Sequence, residues 1–292
     1  MNKNFKKIML FIGLTFFVNW SMAGLFFALG GKWGTIGATV MAAGYMFVPM
    51  VVAIIVQKLI YKEPLKEPFG ISFKLNRWFL IAWLLPAVIT FASLGVSLLF
   101  PGVEYSPSMG GMLERYKSII TAEQLQQMQN NPSVFQSHPI LIGLLLGLIA
   151  GVTINAVAGF GEELGWRGFM QRELGFLGFW KSSVVIGVIW GIWHAPIILM
   201  GHNYPHHPVA GVFMMVVLCV LLAPIFSYIR FKAKSVIAAA IIHGSFNGTY
   251  GLAILVVKGG SDFTTGVTGL AGFVVLAFVN LAVFIYDRFI AK

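Results

Sequence analysis

The stretch Gly161-Glu162-Glu163-Leu164-Gly165-Trp166-Arg167-Gly168 closes an apolar run that begins at Pro139. From Pro139 to Phe160 there is no charged residue, and at about 1.5 Å per residue a helix of that length crosses the roughly 30 Å of a bilayer's hydrocarbon. If the helix continues through the motif, Glu163 and Arg167 stand on one face, in the favoured order for an i,i+4 ion pair. Glu162 points about 100° away around the axis and has no such partner. One carboxylate is neutralised locally, and the other is free to accept and return a proton. The plainer alternative is a charge cluster that only stops the span.

The chain around this motif is of the same kind. It has 292 residues, 58% hydrophobic and 10% charged, against about 25% charged in an ordinary soluble domain. That excludes a water-soluble globule, and its 26 Phe, 8 Trp and 8 Tyr exclude intrinsic disorder. The lone cysteine, Cys219, excludes an intramolecular disulfide and any multi-cysteine zinc or iron–sulfur site. The expected fold class is all-α: one polytopic transmembrane domain over residues 1–292, with about eight transmembrane helices around a polar intramembrane cavity. The expected spans run from Ile8 to Leu29, Ile36 to Leu59, Trp78 to Phe100, Pro139 to Phe160, Ser182 to Met200, Val209 to Tyr228, Val236 to Val257 and Gly266 to Tyr286.

The net charge of +10 reports on orientation in such a chain, and no nucleic-acid partner is expected; the partner is the lipid bilayer. Of the 20 Lys and Arg, only Lys32, Arg115, Lys117 and Lys258 fall on the side away from the termini. Both termini, and with them the opening of the site, are therefore expected to be cytoplasmic, in the cell membrane if the source is prokaryotic. Pro101 to Ser137 is the long segment outside the membrane; Glu114 to Gln129 within it suits an amphipathic surface helix or an ordered loop.

Ionisable groups inside a membrane are costly and ask for a reason. His194 lies in the fifth span, in Trp190-Gly191-Ile192-Trp193-His194-Ala195-Pro196. Gly187 and Gly191 let another helix approach closely there, and Pro196 can kink the helix just past the imidazole. In the seventh span His243 and Asn247 project from one face, an arrangement that suits proton transfer and oxyanion binding, or a polar clamp between helices. Convergence of the three spans buries a carboxyl, two imidazoles and an amide in one cavity, the set that activates a water and stabilises a tetrahedral intermediate. Two His and a Glu can also hold zinc, so Glu162, His194 and His243 are the ligands if a divalent metal is needed. A water activated without any cofactor uses the same residues. His202, His206 and His207, after the fifth span, read as solvated.

EELGWR matches the EExxxR motif, Trp190 to His194 the aromatic-xxx-His motif, and His243 to Asn247 the HxxxN motif. In that order on a polytopic chain, they resemble the CPBP family of intramembrane proteases, which includes the type II CAAX prenyl endopeptidases and the ABI proteins. The motif-bearing part is residues 160–247. The resemblance implies a membrane-embedded endopeptidase, of glutamate type, that removes the last three residues after the prenylated cysteine of a CaaX protein or peptide. It implies that Glu162 and His194 activate the water, that His243 and Asn247 hold the oxyanion, and that Glu163, Arg167 and Trp190 support them. Trp190 stands where Phe is commoner, a change expected to leave the chemistry intact.

Two alternatives remain open: a protease of unprenylated peptides, acting in bacteriocin or signal processing or in self-immunity, and a non-catalytic membrane scaffold. A transporter is weaker, because the acidic and His motifs occur only in the second half of the chain. The glycines Gly143, Gly147 and Gly151 permit a helix interface within one chain or between copies, so the oligomeric state stays open.

Overall fold

The computed structural model describes residues 3–107, 109, 111 and 138–290; the stretch Glu114 to Gln129 lies outside these. The elements in order are α1 (Lys3–Ala28), α2 (Ile36–Ile60), α3 (Arg77–Ser97), α4 (Pro139–Val152), α5 (Ile154–Glu173), α6 (Phe179–Trp193), α7 (Ala195–Leu199), α8 (Pro208–Ala233), α9 (Val236–Thr249), α10 (Leu252–Leu255) and α11 (Leu270–Ile290). A two-residue antiparallel pairing of Glu104–Tyr105 with Val257–Lys258 is the sheet among the described residues. The architecture is all-α, and the protein is a multi-pass integral membrane protein.

Local chemistry sets the helix starts. The side chains of Thr35, Asn76 and Ser235 accept from the backbone N–H groups of Ala38, Trp78 and Ile237, capping α2, α3 and α9. Pro139 and Pro208 open α4 and α8, where a missing N–H costs nothing.

The span count corrects the expectation of eight. Among the described residues five helices are long and apolar enough to cross a membrane: α1, α2, α3, α8 and α11. Counting α4 and α5 as one span bent by 50° makes six. The other two expected spans are interrupted. Helix α6 has 15 residues and stops at Trp193, followed by the short α7, while α9 has 14 and stops at Thr249. At 1.5 Å per residue these reach only about 21–23 Å. The breaks fall beside His194 and Asn247. Pro196 offers no N–H to the carbonyl one turn before it, so the helix cannot run on unchanged past His194.

Short helices sit at the centre because their neighbours cover them. Helix α9 packs against α3, α4, α5 and α8, and α6 lies along α8. Small residues permit the approach: a Cβ on Gly151 would lie 2.7 Å from Ser245 Cα, and one on Gly191 would lie 2.5 Å from Val216 Cα. The glycine row of α4 therefore serves an interface inside the chain.

One end of the bundle is basic. It carries Lys3, Lys7, Glu63, Arg172 and Glu173, joined in a cluster in which Lys7 is buried. Lys232 with Asp287 lies at the same end. The opposite end carries the α1–α2 turn with Trp33, the loop 200–207 and the Glu104–Lys258 pairing.

Candidate active site

Glu162 and Glu163 end the regular α-helical part of α5, just before a π-helical turn, Leu164–Met170, that carries Arg167. Glu163 Oε1 accepts from Arg167 Nη1 at 2.8 Å, and both side chains are fully buried. The same oxygen stands 2.8 Å from Nδ1 of His243 on α9. The Arg167 guanidinium lies over the rings of Trp190 (4.6 Å) and Phe226 (5.2 Å), which desolvate it and offer their negative faces. The Glu163 carboxyl thus sits between a guanidinium and an imidazole.

Glu162 faces elsewhere, as its 100° offset requires. Its Oε2 accepts from Trp190 Nε1 at 2.7 Å and from Trp166 Nε1 at 3.4 Å. Its Oε1 lies 3.9 Å from His243 Nε2. Trp in place of Phe adds a contact at this position. An indole donates a hydrogen bond that a phenyl ring cannot, and here it goes to the carboxylate of Glu162.

His194 caps the C-terminus of α6. Its Nδ1 lies 2.7 Å from the carbonyl oxygen of Trp190. A carbonyl only accepts, so Nδ1 carries the hydrogen and Nε2 of the neutral ring keeps a lone pair. The carbonyl of Trp193, the residue just before His194, accepts from Tyr45 Oη at 2.8 Å and from Trp20 Nε1 at 3.3 Å. Asn19 completes this support, donating to the Tyr45 carbonyl at 2.9 Å and accepting from Trp193 Nε1 at 2.9 Å. Helices α1 and α2 therefore hold the backbone on which His194 sits.

Glu162, His194, His243 and Asn247 line one cavity of about 220 Å³, with Tyr45, Trp190, Cys219 and Tyr250. The first three are buried, whereas Asn247 is exposed on the cavity's flank. Among the described residues no group of three His, Cys, Asp or Glu side chains converges with metal-ligand geometry, so the set Glu162, His194 and His243 does not close into a ligand shell as placed.

Two further placements differ from expectation. His202, read as solvated, enters the cavity wall and packs its ring 4.7 Å from that of Trp33. Burial pushes its imidazole down to about 4. His206 and His207 are exposed, and His207 pairs with Asp262 at 2.7 Å in a separate pocket that His206 also lines. The opening was expected on the side of the termini. The cavity's partly exposed lining includes Trp33, His202, Asn203 and Tyr250, at the opposite end, with Ala42, Met46 and Asn247 along its side. Toward the basic end Trp166, Arg167, Phe169 and Phe11 are fully buried and seal it.

Residues 137–249 match the family described as type II CAAX prenyl endopeptidase, Rce1-like. The matched stretch is less than half of the chain. It contains all four candidate catalytic residues and their supporting groups. The chain is also similar to a CAAX prenyl protease 2 of Methanococcus maripaludis, 37% identical over 46 residues. That similarity covers 15% of this chain and 17% of the relative. The matched stretch begins at the head of α4 and ends with α9, leaving α1, with Asn19, and α2, with Tyr45, outside it.

Proposed function

We propose that the protein is an intramembrane endopeptidase that hydrolyses a peptide bond near the C-terminal tail of its substrate, using a water activated by Glu162 and His194. The observation that carries this reading is the meeting of Glu162, His194, His243 and Asn247, from three helices, around one small cavity inside the stretch that matches the Rce1-like family.

In the reaction, water sits between the Glu162 carboxylate and the free Nε2 of His194. Glu162 takes a proton as the water oxygen bonds to the carbonyl carbon. His243, protonated on both ring nitrogens with Nδ1 donating to Glu163 and Nε2 free to donate, and the Asn247 amide donate to the oxyanion that develops. The C–N bond then breaks and the amine leaves with the proton returned by Glu162. Trp190 fixes Oε2 of Glu162, leaving Oε1 for the water. No step in this sequence requires a bound metal.

The substrate class follows the names of the relatives: a prenylated CaaX protein or peptide, cut after the modified cysteine. The test is cleavage by the purified protein of farnesylated and unfarnesylated forms of one CaaX peptide, each with and without chelator. Cleavage of the farnesylated form alone, unaffected by chelator, is expected. Equal cleavage of both forms rejects the prenyl requirement, loss with chelator rejects the metal-free water, and no cleavage of either favours the scaffold.

A further inference from the structure

Helix α8 has the candidate site on one face and a separate groove on another. Phe226 turns its ring toward Arg167 (5.2 Å) and His243 (5.6 Å), whereas Ile225, Tyr228 and Ile229 floor an apolar groove of about 420 Å³. Helix α3 walls it with Ile81 and Leu85, and α11 with Val279 and Ala282. The floor is buried, but Ile81 and Ala282 are exposed, so the groove opens on the outer surface of two membrane-spanning helices. From Arg77 to Leu85 it follows α3 for about 12 Å.

The chemistry changes at the mouth, which lies at the basic end of the bundle. Trp78 packs edge-on against Tyr228 (5.5 Å) and Tyr286 (6.5 Å), amphipathic rings of the kind that collect at the level of lipid headgroups. Arg77 is exposed there, its guanidinium 5.6 Å from the centre of the Trp78 ring. Asp287, the residue after Tyr286, is held by Lys232 at 2.7 Å and by Tyr228 Oη at 3.3 Å. Its charge is met locally, while Arg77 pairs with no carboxylate among the described residues. An apolar groove headed by an uncompensated guanidinium is complementary to an anion that carries a hydrocarbon chain, because the planar fork binds phosphate through two N–H groups. We infer that this groove is a binding site for an anionic phospholipid, with an acyl chain laid over α8 between α3 and α11 and the phosphate on Arg77. A lipid that binds the folded bundle alone also stabilises it by mass action.

The test supplies phosphatidylglycerol, or phosphatidylcholine with the same chains, to the purified protein in mild detergent. Native mass spectrometry counts the lipid retained, and thermal unfolding reads its effect. The parent is expected to retain phosphatidylglycerol in preference and to melt higher with it. Arg77→Gln should weaken that retention roughly tenfold or more, the worth of a charge-assisted hydrogen bond. Ala282→Trp, which fills the groove, should abolish it. Lys181→Gln, an exposed basic position at the same end and outside the groove, should change nothing. Equal retention of the two lipids by the parent overturns the inference. So does an equal loss in all three variants, which would assign the preference to general surface charge. Arg77 is exposed, so its variant is expected to fold even if Ala282→Trp does not, and unchanged retention by Arg77→Gln rejects the site by itself. A last arm measures cleavage of the farnesylated CaaX peptide in phosphatidylcholine micelles. Parental KM in both groove variants is expected; a KM raised for the farnesylated peptide alone would give the groove to the prenyl chain and overturn the phospholipid assignment.

Discussion

His243 bridges the two adjacent glutamates: its Nδ1 lies 2.8 Å from Glu163 Oε1, and its Nε2 lies 3.9 Å from Glu162 Oε1. The neighbouring carboxylates thus divide the ring between them, one anchoring it and the other facing its free side across the cavity. Because Glu163 also holds Arg167, removing it strands a buried guanidinium whose Nε and Nη2 have no hydrogen-bond partner among the described residues. Glu163→Ala should therefore cost about 3–5 kcal/mol, the usual penalty for breaking a buried pair. Thermal unfolding in detergent measures this, and an unchanged midpoint would show that the pair does not hold the fold.

Trp190 is expected to act on Glu162 through its N–H alone. Trp190→Phe keeps most of the ring under Arg167 and removes the 2.7 Å hydrogen bond. A hydrogen bond to a charged group is worth about 1.5–3 kcal/mol, so kcat should fall by roughly 10- to 100-fold with KM little changed. A rise in KM at constant kcat would place Trp190 in substrate binding instead.

The glycines between α4, α5 and α9 should tolerate no side chain. A Cβ on Gly244 would lie 2.5 Å from the backbone nitrogen of Ala156, and Gly151 is similarly tight against Ser245. Gly151→Ala and Gly244→Ala should each lose about 1–3 kcal/mol from overpacking. Gly24→Ala on α1, where a Cβ would meet nothing within 4 Å, is the control and should lose nothing. Yields of folded protein from parallel purifications would decide it, and equal yields for all three would contradict the packing described.

Acid should destabilise the protein in two steps. Burial holds His202 at about 4 in the folded state, below its ordinary 6.5, so the unfolded chain binds the extra proton first and stability drops as pH falls from 6.5 toward 4. Hydrogen bonds from Lys3 and Lys7 lower the Glu63 carboxyl from 4.5 to about 2, and the stability they confer is lost between those values. His202→Gln should flatten the upper step of a melting-temperature profile and Glu63→Gln the lower one. A profile that neither substitution alters would show that other groups govern acid unfolding.

The sequence made the helical, membrane-spanning character legible because uncharged runs of span length leave a long helix as the one way to satisfy the backbone in lipid. It also placed Glu163 and Arg167 on one side of a helix and Glu162 on another, since helical offset is a local property. What stayed hidden was non-local. Averaged over a span, both stretches stay apolar from Ile192 to Met200 and from Phe246 to Val257, so beyond the kink that Pro196 signals, neither break was marked as the end of a helix. The indole contact joins residues 28 apart, and the Tyr45 contact to the Trp193 carbonyl joins residues 148 apart. His202 looked solvated because a loop histidine usually is; its loop folds inward against Trp33. The motif's position near the basic loops suggested an opening on that side, whereas Trp166 and Phe169, large and apolar beside the charges, were the available sign that this end is plugged.

The central claim is that Glu162 carries the proton of the attacking water. Glu162→Gln keeps the side chain's size and still accepts from Trp190 through its amide oxygen, so the variant should purify and melt like the parent. Mass-spectrometric cleavage of a farnesylated CaaX peptide by the two proteins, side by side, is the direct measurement. Cleavage by the parent and none by the variant is the predicted result; a variant that folds and cleaves at the parent's rate would contradict it.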